Sequence, residues 1–226
     1  CDWSSDVCSS DLKAVSSSIH SIMNKLQTEK ALKVYNEAQA QFCNENFKSA
    51  LVGFTKCIFL DPQEPKYYQG RAEVYLKVGD IRSAIVNYQK AVYLDDNHLK
   101  YRIRLSDLLD ALGYLYFQNN QFNSSLIEYE KALEYYNENH KVYLHRAVTL
   151  FSLNRIQLAL DDLRVCENHP ESFPYVHVLK GHIYIFTQDL FLAKVELSKA
   201  MENRGDKNAQ VRMFEQQFNG FCFVLF

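Results

Sequence analysis

The residues of this chain that could do chemistry are two histidine pairs, two aspartate pairs and a few cysteines. His140/His145 and His177/His182 are each five residues apart, which sends the two rings to diverging sides of a helix. A zinc pair on one helix needs a spacing of four and a third ligand, as in H-E-x-x-H, and that motif is absent. Asp95-Asp96 and Asp161-Asp162 are paired carboxylates. Their positions, at a helix end and on an exposed helix face, predict solvated side chains. General acid–base work would need a closed site that separates the two pKa values. No phosphate loop G-x-x-x-x-G-K-S/T, dinucleotide turn G-x-G-x-x-G or nucleophile elbow G-x-S-x-G occurs. No catalytic, cofactor-binding or metal residue is assigned, and the chain is read as a non-enzyme without a cofactor.

Composition sets the frame in which that absence matters. Of 226 residues, 47% are hydrophobic and 23% charged, with a formal charge of −2. Seven Gly and four Pro are too few for a turn-rich all-β fold. Fifteen Tyr and fifteen Phe supply the apolar surface that disordered chains lack. Near-neutral charge offers no basic footprint for nucleic acid, and no run reaches 18 apolar residues, so no membrane span is expected. A helical domain is expected, with neither nucleic acid nor membrane as its partner.

Residues 1–12, CDWSSDVCSSDL, resemble the translation of a sequencing adapter and are expected to be non-native. Without their three aspartates, 24 acidic and 25 basic residues remain, a charge of +1. Cys43, Cys57, Cys166 and Cys222 are then the native cysteines; they form no C-x-x-C pair. A chain long enough to build a core needs no disulfide framework, so reduced thiols and a cytoplasmic location are expected. The sequon Asn123-Ser124-Ser125 has no consequence there.

From about residue 29 to 204 the chain repeats itself every 34 residues. Taking Pro65 as position 1 puts Tyr68 at 4, Ala72 at 8, Tyr75 at 11, Gly79 at 15, Ala84 at 20, Tyr88 at 24 and Ala91 at 27. Similar units start at Ala31, Ser106, His140 and Pro174, giving repeats 31–64, 65–98, 106–139, 140–173 and 174–205. Apolar residues three and four apart give each half-unit one buried helical face. Small residues at 8, 20 and 27 let helix axes approach, so Cys57 and Cys166 at position 27 are read as buried fillers. Gly113 and Gly181 cost about 1 kcal/mol relative to Ala in a helix and must be offset by close packing. All four prolines, Pro62, Pro65, Pro170 and Pro174, fall at unit junctions. Residues 99–105, LKYRIRL, are an insert of about two helical turns, which predicts one helix from about Leu99 to Gln118; a loop is the alternative.

This pattern resembles the tetratricopeptide repeat (TPR), with small residues at 8, 20 and 27 and aromatics at 4, 11 and 24. The resemblance implies an all-α, right-handed superhelical solenoid of about five antiparallel helix pairs. It also implies a groove lined by first helices that binds a peptide or helix of another protein. By that resemblance, positions 2, 5, 9, 12 and 13 face the groove. The candidates are Tyr35 and Phe42 in the first repeat, and Tyr114 and Phe117 in the third. The fourth repeat offers Leu144, Val148 and Phe151, and the fifth Val178, His182, Ile185 and Phe186. The chaperone-binding members grip a C-terminal carboxylate with a Lys/Asn/Arg clamp. Here those places hold Tyr35, Gln39, Gly70, Asp107 and Ala111 or, one repeat later, Gln69, Glu73, Ala111, Lys141 and His145. A carboxylate needs charge-assisted donors, so the clamp is rejected.

The ends are read separately. Residues 13–28 are expected to be a flexible lead, 205–218 a capping helix with a polar face, and 219–226 an apolar tail foreign to any cap. The expected function is a cytoplasmic or cilium-associated adaptor. The alternatives are a targeting or regulatory module of a truncated multidomain enzyme, and a structural spacer in a large assembly.

Overall fold

The computed structural model describes residues 6–167, 169 and 173–202. Among them five residues have a left-handed φ: Glu45 (59°), Gly79 (83°), Asn120 (59°), Asn154 (57°) and Gln188 (62°). Every one is position 15 of its unit. At each, the backbone N–H of position 15 bonds the carbonyl of position 12, and the N–H of position 16 reaches back to position 11. Gly79 to Leu76 (3.2 Å) with Asp80 to Tyr75 (2.9 Å), and Asn154 to Phe151 (2.9 Å) with Arg155 to Leu150 (2.8 Å), are two of the five. This double bond is the Schellman closure of a helix, which satisfies two orphan carbonyls and reverses the chain.

Ten helices result among the described residues, and no strand: α1 (Asp6–Cys43), α2 (Phe47–Leu60), α3 (Pro65–Lys77), α4 (Ile81–Leu94), α5 (Leu99–Gln118), α6 (Phe122–Tyr135), α7 (His140–Ser152), α8 (Ile156–Cys166), α9 (Phe173–Phe186) and α10 (Leu190–Glu202). Odd- and even-numbered helices are the first and second helices of successive hairpins. Position 16 opens the second helix, and its side chain caps it where it can. Asp80 accepts from the Ser83 N–H (3.0 Å), Asp189 from that of Leu192 (3.1 Å) and Asn46 from that of Ser49 (3.4 Å).

The small positions are where the helices meet. Ala50, Cys57, Ala72, Ala84, Ala91, Ser125, Ala132, Ala147, Ala159 and Cys166 are fully buried. At Gly113 a Cβ would stand 2.5 Å from the Tyr129 ring, so the glycine is there to admit the aromatic of position 24 of its own hairpin. Cys57 and Cys166 each point their thiol at the carbonyl of position 1 of the same unit, Ala31 and His140, at 3.5 Å. Burial pushes the two thiols up to about 11 and about 12, away from the thiolate that nucleophilic chemistry needs.

Two compact units divide the chain, Cys1–Leu105 and Ser106–Phe226, with α5 running through the division. In the first, Phe54 and Val74 pack with Ala38 and Ala50, flanked by Tyr35 and Phe42, while Ala31, Cys57 and Tyr67 form an adjoining cluster. In the second, Phe117, Leu126, Leu144, Val148, Leu163 and Leu179 belong to one core. The insert 99–105 forms the start of α5, the helical alternative to a loop. Its Tyr101 is buried beside Tyr88 at 6.5 Å between ring centres, and its Arg104 reaches Glu73.

Residues 13–28 differ from the flexible lead expected of them: they are helical within α1. Residues 14–30 are all exposed, Val15, Ile19, Ile22 and Leu26 among them, and burial starts at Ala31, position 1 of the first repeat. Helical hydrogen bonds are local to the segment, so a run without Gly or Pro propagates an existing helix without a packing partner. The expected capping helix 205–218 and apolar tail 219–226 lie outside the described residues, as do 1–5 of the adapter-like segment.

Candidate functional site: the face of the first helices

The histidine and aspartate pairs resolve into structural contacts. His145 Nδ1 meets Asp110 Oδ1 at 2.8 Å, and the buried His177 Nδ1 meets Glu196 Oε2 at 2.5 Å. Neither ring shares a partner with the histidine five residues away among these contacts, and no group of three or more metal-ligating residues occurs among the described ones. Asp161 is solvated as expected, but Asp162 corrects the expectation. It is 7% exposed and accepts two bonds from Arg146, Nε at 2.8 Å and Nη2 at 2.7 Å. Adjacent residues on a helix point about 100° apart, and here that angle separates solvent from the hairpin interior.

Within the second unit, α5, α7 and α9 lie side by side through their ring contacts. The Tyr114 ring of α5 is 5.4 Å from that of His145 in α7. Phe151 of α7 meets Phe186 of α9 at 5.5 Å and 89°, edge to face, a favoured aromatic geometry. The candidates on this face fall into two groups. Phe117, Leu144, Val148 and Val178 are only 6–8% exposed, and all but Val178 belong to the core. They fill the space beneath the face. Tyr114, Phe151 and His182 are half-buried, and Ile185 (46%) and Phe186 (50%) stand out from it. The reachable apolar surface is therefore at positions 12 and 13 of the last hairpin, next to Phe151.

In the first unit, Tyr35 is half-buried between Phe54 and Tyr67, at 5.8 and 5.4 Å, and Lys66 lies 5.7 Å over its ring. Phe42 packs on Phe47. Glu73, on the same face of α3, accepts the Tyr88 hydroxyl at 2.5 Å and Arg104 at 3.4 Å. Burial, then the Glu73 bond, pushes the Tyr88 phenol far up, so it stays protonated and donating. Arg104 and Tyr101 escaped the sequence reading because the insert has no counterpart in the other repeats; the Arg-x-Arg of LKYRIRL was the available signal.

Tandem α-hairpins, each closed at the same left-handed position and packed through small residues, define a helical repeat in each unit. The tetratricopeptide-repeat model matches residues 65–98 and 106–139, the second and third units in the register derived above. These two units are thus tetratricopeptide repeats. Among solved structures it is similar to MamA, with 16% identity over 80% of this chain and 95% of that one and a TM-score of 0.58. It is also similar to YrrB, described as "a TPR protein with an unusual peptide-binding site", at 17% identity over 83% and 92% with a TM-score of 0.54. A MamA fragment from Desulfovibrio magneticus gives 15% over 77% and 94%, TM-score 0.53. At these identities the likeness is one of fold. No curated protein matches the sequence. No described helix is long and apolar enough to cross a membrane.

Proposed function

We propose that this chain is a non-catalytic adaptor that binds a segment of another protein on the first-helix face of its second unit. The observation that carries this reading is the exposed pair Ile185 and Phe186 set against Phe151. An apolar cluster left half open beside a polar surround is what an anchor side chain of a peptide or helix fills. Below it, the packed Leu144, Val148 and Val178 make the floor rigid, so the face is preorganised and binding orders little of the protein. The peptide-binding description of YrrB supports the same use of the fold. A polypeptide is the expected occupant, and a C-terminal carboxylate is not the feature recognised, because Asp107 stands at a place where the clamp of the resembling proteins has a cation.

A cytoplasmic adaptor, or one in a ciliary assembly, is the setting proposed. The seven-residue insert also makes the layout similar to an animal protein, tetratricopeptide repeat protein 16, a likeness carried by repeat spacing alone. The test is a quantitative pull-down with the parent chain, Phe186→Glu and Phe151→Glu, with chemical denaturation run in parallel. Partners lost from Phe186→Glu at an unchanged unfolding midpoint support the reading. The same partners retained by both variants would overturn it.

A further inference from the structure

The second helices of the first unit carry a pattern that groove binding does not use. Along α2, Lys48, Val52, Lys56 and Phe59 follow one another at spacings of four, four and three, one continuous stripe on a helix. Along α4, Arg82, Val86, Lys90 and Tyr93 repeat it 34 residues later. The apolar members face water: Val52 is 71% exposed, Phe59 85%, Val86 63% and Tyr93 78%. Neither helix contains a single acidic residue; the nearby acids Asp61, Asp80 and Asp95 are caps. None of the ion pairs among the described residues uses Lys48, Lys56 or Lys90, and Lys90 lies 4.5 Å over the Tyr93 ring.

The two stripes occupy the same positions of tandem repeats, which a stacked array presents on the same side. Arg71 of α3 bonds Asn87 of α4 through Nε (2.8 Å) and Thr55 of α2 through Nη1 (3.5 Å). One guanidinium of α3 therefore ties together the two helices that carry the stripes. The pattern is not a general property of the repeat. In α6 the matching positions are Asn123, Ile127, Lys131 and Glu134, with Lys131 paired to Glu128 at 2.8 Å.

We infer that the α2–α4 face is a second docking surface, and that it takes an acidic amphipathic helix of a partner protein. The charge is the argument. Two cations on each helix stand eight residues, about 12 Å, apart, with an aliphatic side chain between them and an aromatic beyond. A helix bearing a carboxylate every second turn and apolar residues between would meet cation with anion and apolar with apolar along the same line. A second copy of this surface cannot serve as the symmetric partner, because it offers no carboxylate to the first. A bilayer wants cations at the margin of a broad apolar face, whereas here they alternate with Val, Phe and Tyr along one narrow stripe.

A random 16-residue peptide library, selected on the full chain and counter-selected on Phe59→Ser/Tyr93→Ser, tests this. The expected survivors are net acidic, with apolar residues three and four apart. A labelled survivor should lose at least about tenfold in affinity on Phe59→Ser/Tyr93→Ser and on Lys56→Glu/Lys90→Glu, and nothing on Phe186→Glu. The unfolding midpoints should stay unchanged. The inference is overturned if no peptide survives counter-selection, or if the survivors are neutral or basic. It is equally overturned if the four residues govern uptake of phosphatidylserine vesicles, of single-stranded oligonucleotide, or self-association by sedimentation, rather than peptide binding.

Discussion

Arg146 and Asp162 close the fourth hairpin with two parallel hydrogen bonds across sixteen residues, and Arg71 and Asn87 close the second from the same repeat positions with one. The comparison isolates the value of charge at a fixed geometry. In the fourth hairpin both partners are mostly buried, with side chains 22% and 9% exposed. Removing the carboxylate leaves a guanidinium in a hairpin interior without its acceptor.

Asp162→Ala is therefore expected to cost about 2–3 kcal/mol, and Asn87→Ala about 1 kcal/mol. Urea denaturation of the two variants checks this. Equal losses would mean that the ion pair adds nothing beyond a neutral bond.

The turn residues give a stabilising prediction. Glu45 adopts a φ of 59° and is exposed, so its Cβ bears the left-handed penalty without a packing return. Glu45→Gly should raise stability by about 0.5–1 kcal/mol. Gly79→Ala, at φ 83°, should lower it by a similar amount. Thermal unfolding reads both shifts, and their signs must be opposite.

Ala91 is fully buried at position 27 of the second repeat. Ala91→Leu should destabilise by about 1–3 kcal/mol through overpacking. A neutral result in chemical denaturation contradicts the packing register.

Glu196 carries the pH dependence of the last hairpin. Burial alone would raise its carboxyl, but bonds from Lys199 (2.9 Å) and His177 (2.5 Å) outweigh it and hold the group below its ordinary 4.5. A carboxyl lowered in the folded state contributes stability above its unfolded value, which is lost as pH falls through the folded one. Stability should drop below about pH 4.5, and Glu196→Gln should shallow that drop while lowering stability at pH 7. An unaltered pH profile in the variant would show that the drop arises elsewhere.

Much of the fold was legible because each repeat position asks for a particular property. Only small side chains fit at 8, 20 and 27, and the length of LKYRIRL fits two helical turns. Depth was not legible. Leu144 and Val178 are buried, because repeat position gives direction rather than distance, and aliphatic residues at position 5 sink beneath their neighbours. Asp162 was misread because Asp161 beside it is solvated, and a dipeptide does not reveal which member turns inward. The helical extent of α1 was missed for a different reason. Its exposed Ile19 and Ile22 bury nothing, so no core pattern marks the segment as helix.

The measurement closest to the centre of this account is a backbone chemical-shift and scalar-coupling assignment by NMR. It should find left-handed φ at residues 45, 79, 120, 154 and 188, with uninterrupted helix from 99 to 118. A helical or extended φ at any of those five residues, or a break within residues 99–105, would contradict the 34-residue hairpin register on which both proposed surfaces depend.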